Sequence, residues 1–147
     1  MLTFRPFPKS KIMLSTILSL LVASLGHAGM GSSRGTKLVQ KGKWGGDHIS
    51  LSIEKKGTRL EYDCAHGTID QPMKVDSKGR FDVTGTHVSE GGGPITRGEK
   101  PDRHPARYRG QVTGDRMVIT VTLTDTKQTA GTFTLVYGQS PNLFKCK

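Results

Sequence analysis

The chain has 147 residues, 22 Lys and Arg against 12 Asp and Glu, and two cysteines. That length suits one ordinary domain, whose core forms without metals or many disulfides. The net charge of +10 favours anionic partners. The cations are spread over the chain with no dense tract of the kind that grips nucleic acid, so nucleic acid is not the expected partner.

Taken in chain order, residues 1–28 open with the basic Arg5, Lys9 and Lys11. An apolar run from Ile12 to Leu25 follows, broken by serines, and it closes on the small residues of Gly26-His27-Ala28. Basic, then apolar, then small is the order of a secretory signal peptide, and the run is short for a membrane span. The expectation is cleavage after Ala28 and an exported, periplasmic or secreted chain with no transmembrane span. The remainder keeps 19 Lys and Arg against 12 Asp and Glu, a net charge of +7. Cys64 and Cys146 form an even pair in an oxidising compartment, which predicts a disulfide.

Residues 29–42 read as a flexible lead-in and 43–147 as the folded domain. His48–Glu54 alternates strictly, with Ile49, Leu51 and Ile53 on one face, and Lys55–Thr58 turns the chain. Leu60, Tyr62 and Cys64 continue on one face opposite Glu61 and Asp63. Ile69, Met73 and Val75 predict a third strand, with Pro72 at an edge or bulge. Phe81 and Val83, then Tyr108 and Val112, then Met117, Ile119, Val121 and Leu123, then Phe133, Leu135 and Tyr137 repeat the alternation. Phe144 and Cys146 share parity in a last short segment. No stretch beyond residue 28 keeps a helical period, so the domain reads as all-β.

About eight short strands, each apolar on one face, hide those faces best by closing into a single up-and-down antiparallel β-barrel. A two-sheet β-sandwich is the alternative. The predicted core is Ile49, Leu51, Ile53, Leu60, Tyr62, Phe81, Val83, Val112, Ile119, Val121, Leu123, Phe133 and Leu135. Gly42-Lys43-Trp44 resembles the Gly-x-Trp that opens lipocalin-type and avidin-type secreted barrels, where the Trp packs at the closed end. The resemblance covers three residues and brings no ligand or binding residue with it.

Catalytic signatures do not emerge. There is no Gly-x-Ser-x-Gly and no His-Glu-x-x-His, and the acids fall in turns or on outward faces. Gly91-Gly92-Gly93 lacks the Lys-Ser/Thr and the helix of a phosphate loop. Strand parity places Cys64 and His66 on the inner face, and His87 with Phe81 and Val83 near the same rim. His66 and His87 are therefore the candidates for an alternative reading as a small enzyme or metal protein, with Cys64 as a free thiol. The segment Ser89–Pro105 is the outlier, about 17 residues with four Gly and three Pro. Loops of that length are commonly functional. Arg97, Lys100, Arg103 and His104 on it, with Arg107 and Arg109 on the strand that follows, form a candidate basic site for carboxylates or phosphates. The expectation is an exported, non-catalytic binding or interaction module with no cofactor. Its partner is an anionic molecule or a small apolar ligand.

Overall fold

The computed structural model describes residues 35–91, 98 and 100–146. Residues 1–28, read above as a signal segment, most of the expected lead-in, and Arg97 lie outside the described residues.

The strands in chain order are β1 Lys37–Leu38, β2 Gly42–Gly46, β3 Ile49–Ile53, β4 Thr58–Tyr62 and β5 Ala65–Ile69. They continue with β6 Lys74–Val75, β7 Arg80–Ser89, β8 Asp102–Thr113, β9 Arg116–Leu123 and β10 Thr129–Tyr137. Eight of them close a barrel in the order β10-β2-β3-β4-β5-β7-β8-β9, and every neighbouring pair is antiparallel. The up-and-down barrel read from the sequence is therefore the fold.

Alternation does the work. Ile49, Leu51, Leu60, Ile69, Tyr108, Met117, Ile119, Val121 and Leu135 are all but sealed from solvent inside the barrel. Every residue of the predicted core belongs to one cluster, with Val112 and Phe133 packed against it half-buried. Each buried aliphatic or aromatic side chain contributes roughly 1.5–3 kcal/mol relative to an exposed one. Ser50, Ser52, Arg59, Thr84, Arg107 and Thr120 alternate outward. A polar exterior over an apolar interior is the reverse of a membrane barrel, whose outer face is an apolar band. Among the described residues no helix is long and apolar enough to cross a membrane.

Four sequence expectations are corrected. Gly42–Gly46 is a barrel strand and not a prelude to one. Its glycines hid it from a pattern search, yet they are what the packing requires. A Cβ at Gly45 would collide with the backbone of Gln139 and Pro141, because the C-terminal tail lies across the outside of β2. Phe144 and Cys146 lie on that tail and not on a strand; it is held by an isolated parallel bridge between Asp47 and Asn142. The third predicted strand divides. Ala65–Ile69 is in the barrel, while Lys74–Val75 leaves it to pair with Lys37–Leu38 in a separate two-stranded sheet. The long loop shrinks to residues 90–101, because β8 starts at Asp102 and runs through Pro105. Pro105 is tolerated there because its carbonyl accepts from Thr124 N–H at 2.8 Å, on the β9 side. A residue's N–H and C=O point the same way, so the missing donor removes no bond to β7.

The two ends of the barrel differ. At one end Trp44 fills the interior, 1% exposed, with its ring edge on Tyr137 at 5.3 Å and its indole N–H donating to Gln40 O at 3.1 Å. Val39, Met73 and Val75, carried by the segments around β1 and β6, cover that end. At the other end β7 and β8 rise past β9, and β10 rises past β2.

Candidate functional site

The open end is where the chemistry collects. His48 stands in the two-residue turn between β2 and β3, and Asp63 and Cys64 form the turn between β4 and β5. His66 opens β5, His87 closes β7 and His104 begins β8, so all four described histidines ring one mouth. Three of them face a carboxylate. The His48 ring pairs with Asp63. His66 Nδ1 meets Glu90 Oε1 at 2.8 Å. His104 lies between Asp125, at 2.7 Å from Nδ1, and Asp102, at 3.0 Å from Nε2.

The C-terminal tail completes this rim. The N–H of Phe144 donates to Asp63 Oδ1 at 2.8 Å, and the N–H of Cys146 donates to Asp63 O at 3.2 Å. Lys145 donates to Glu61 Oε2 at 3.1 Å and to Tyr62 O at 2.8 Å. Cys146 is bonded to Cys64, with Cα atoms 5.2 Å apart across 82 residues of sequence. The predicted disulfide is therefore present, and neither cysteine is free.

The electrostatics follow from these contacts. The Phe144 N–H, ahead of the His48 ring, holds the Asp63 carboxyl below its usual range. His66 and then Lys145 do the same for Glu90. Donating to Asp125 raises His104 above the ordinary imidazole value, and Asp125 is lowered in turn. His87 shifts the other way: desolvation lowers it, and the neighbouring His104 and His66 add to the effect.

Inside the rim is a cavity of about 250 Å³ lined by Tyr62, Ala65, His87, Ala130 and Phe133, with His48, Asp63 and Cys64 at its edge. Tyr62 packs on His87 at 5.2 Å and on Phe133 at 5.4 Å between ring centroids. His87 Nδ1 is buried without a hydrogen-bond partner among the described residues, whereas the Tyr62 hydroxyl lies against that of Tyr108. Burial also drives the Tyr62 phenol far above its ordinary pKa. Below it, Tyr108 donates to Thr86 O at 2.7 Å, and its own phenol is pushed up to about 12, chiefly by burial. A wider depression of about 670 Å³ lies at the other end, between Trp44 and the two-stranded sheet. One wall of it begins at Gly35, the first described residue, and no unpartnered buried side-chain atom belongs to its lining.

Two of the predicted site groups are not assembled as expected. His66 does not face inward. The chain turns at Asp63-Cys64, which resets the parity, so Ala65, Gly67 and Ile69 are the inner residues of β5 and His66 is outward. His87 is inward, opposite Gly67, so the two imidazoles lie on opposite faces of the sheet and do not converge on an ion. Among the described residues no cluster of His, Cys, Asp and Glu can hold a metal. The basic group is also divided. Lys100, Arg103 and His104 are at the mouth, whereas Arg107 and Arg109 lie roughly 13–20 Å further along β8 at about 3.3 Å per residue. Arg107 forks onto Asp82 with both contacts at 2.7 Å, and Arg109 meets the same carboxylate at 3.0 Å. One carboxylate between two guanidiniums halves the charge of that stretch. The mouth cavity itself was not legible from the sequence, although the inward parity of Tyr62, His87 and Phe133 pointed to its lining.

Compared with protein-family models, curated proteins and solved structures, the chain matches none, so the site is read from its own geometry.

Proposed function

We propose that this is an exported, non-catalytic binding module that receives its ligand at the disulfide-braced mouth of the barrel. One observation carries the reading. The mouth keeps a mostly aromatic cavity beside a buried imidazole nitrogen, His87 Nδ1, that has no partner among the described residues. Such an atom is costly to leave unpaired, at roughly 1–3 kcal/mol, and a bound group that meets it recovers that energy. A dry cavity of about 150 Å³ already admits benzene, so 250 Å³ suits one ring or one branched side chain. Lys100, Arg103 and His104 stand beside it and bias the approach of anionic groups. The basic-apolar-small order of residues 1–28 and the disulfide both support export. With Cys64 bonded to Cys146, no thiol is left to act as a nucleophile.

The test is amide and aromatic chemical-shift mapping of the oxidised protein against a panel of phenol, indole, isobutyrate and short peptides. Perturbations centred on Tyr62, Ala65, His87, Ala130 and Phe133 are expected. Shifts confined to Arg107, Arg109 and Asp82 would move the working surface to the outer face of β8 and overturn the proposal.

A further inference from the structure

One wall of the mouth is backbone. β10 begins at Thr129 but meets β2 only from Leu135 to Tyr137. Gly138 donates its N–H to Lys43 O at 2.8 Å across this seam. Backbone polar groups alternate sides along a strand, so Val136, Thr134 and Thr132 face the same way as Gly138. Val136 lies opposite Gly45, but past Gly46 no described strand meets that edge of β10. Thr132 and Thr134 are exposed there.

The edge is unguarded as well as unpaired among the described residues. Thr129-Ala130-Gly131-Thr132-Phe133-Thr134 contains no Lys, no Pro and no charge, the usual devices that keep a free strand edge from pairing. The short strands β1 and β6, each with a free edge of its own, carry Lys37 and Lys74 within two residues apiece. Nor is the edge separate from the cavity, since Ala130 and Phe133 line both.

We infer that a partner protein supplies an extended peptide that adds to β10 as an antiparallel strand, in line with β2, and places one apolar side chain in the mouth. This rests on the reading of the mouth as a binding site and names the class of ligand. The free backbone groups of Thr132 call for another backbone, and pairing there continues the β10–β2 ladder already in place. The cavity is below the roughly 300–1,000 Å³ of whole-ligand sites, which suits a single side chain. Charge sets the direction. An antiparallel strand enters beside Asp47, an exposed carboxylate touched by the Asn142 amide at 3.4 Å, and leaves beside the exposed Lys127. The complementary peptide is therefore basic toward its N-terminus, apolar at its centre, and acidic or carboxylate-ended. In such pairing the main-chain bonds supply affinity and the pocketed side chain supplies specificity.

The probe is a hexapeptide library displayed on phage and selected on the intact, oxidised protein, with the enriched sequences then synthesised. Expected are peptides with one central apolar residue whose binding falls about tenfold or more on backbone N-methylation at alternate positions, the effect of a main-chain hydrogen bond left unmade. Hydrogen exchange of the Thr132 amide should slow by a similar factor on binding. Thr132→Pro removes the seam donor without touching the ladder to β9 and should abolish binding. Should that variant not fold, the N-methyl series gives the same answer. No enriched peptide, or peptides indifferent to N-methylation, overturns the strand proposal. If phenol or indole still shifts Tyr62 and His87, the mouth stands as a small-molecule site and only the strand is lost. If neither peptides nor fragments perturb the mouth, both readings fall.

Discussion

At the closed end of the barrel, Trp44 sits edge-on against Tyr137 and is roofed by Val39, Met73 and Val75. At the mouth, Phe133 and Tyr62 occupy the corresponding interior positions, but no strand pair covers them and a cavity remains. Both ends are built from the same alternating strands. The difference lies in what crosses the opening: a small sheet packed through apolar side chains at one end, and at the other a charged tail held by hydrogen bonds and one disulfide. The packed end keeps Trp44 sealed, although a depression of about 670 Å³ lies between it and the small sheet. An end closed by polar and covalent ties keeps its aromatic lining accessible, which is what binding requires.

The comparison is broken most directly by truncation at each end. Trp44→Ala should cost about 3–5 kcal/mol in urea denaturation, the range for deleting a buried large aromatic. Phe133→Ala, half-buried, should cost less than half as much. Equal losses at the two sites would erase the distinction between a packed end and an open one.

Removing the tie comes next. Cys64→Ser with Cys146→Ser should cost about 2–4 kcal/mol, up to the ~4.5 kcal/mol that chain entropy assigns to a loop of this length. Hydrogen exchange should rise around Asp47, Asp63 and Phe144 while the amides around Trp44 keep their protection. A uniform rise over the whole barrel would show that the tail braces more than the mouth.

The mouth alone should respond to mild changes of pH, with two opposing signs. His87 has a lowered folded value, so its contribution is present above the unfolded imidazole pKa of about 6.5 and is lost as pH falls below it. His104 has a raised folded value, so its contribution is full below about 6.5 and is lost as pH rises through the folded value. His87→Gln should flatten the acid side of the stability profile, and His104→Gln the alkaline side. Denaturation midpoints between pH 5 and 8 check both.

The smallest effect belongs to the wall between the ends. Arg107→Ala should change stability by under about 1 kcal/mol, because exposed ion pairs are screened and entropically costly, and Asp82 retains Arg109. A loss beyond about 2 kcal/mol would give the outer face of β8 a structural role that its exposure does not suggest.

The barrel was legible because its strands carry their faces openly: Ile49-Ser50-Leu51-Ser52-Ile53 and Met117-Val118-Ile119-Thr120-Val121 each declare an inside. Gly42–Gly46 was not legible as a strand, since its pattern is set by a tail that arrives about 95 residues later and needs bare backbone beneath it. Parity failed at Cys64 for a local reason. Two residues of turn carried the alternation through a hairpin as if the strand had continued, and this moved His66 from the inner face to the outer one. The disulfide was readable from the even cysteine count and the oxidising compartment that residues 1–28 led one to expect. The protruding edge of β10 was not readable, because it depends on where β2 stops.

The Cys64–Cys146 bond also decides what proteolysis does to this protein. Residues 90–101 lie between the two cysteines, so a cut anywhere in that connection leaves Cys64 on one fragment and Cys146 on the other. The fragments also remain joined along the β7–β8 ladder, from Arg80 opposite Gln111 to Ser89 opposite Asp102. Cleavage in the longest connection of the barrel thus yields a two-chain molecule that runs as one band without reductant and as two with it. The nicked form is expected to keep the same barrel, because the disulfide and the β7–β8 ladder both span the cut.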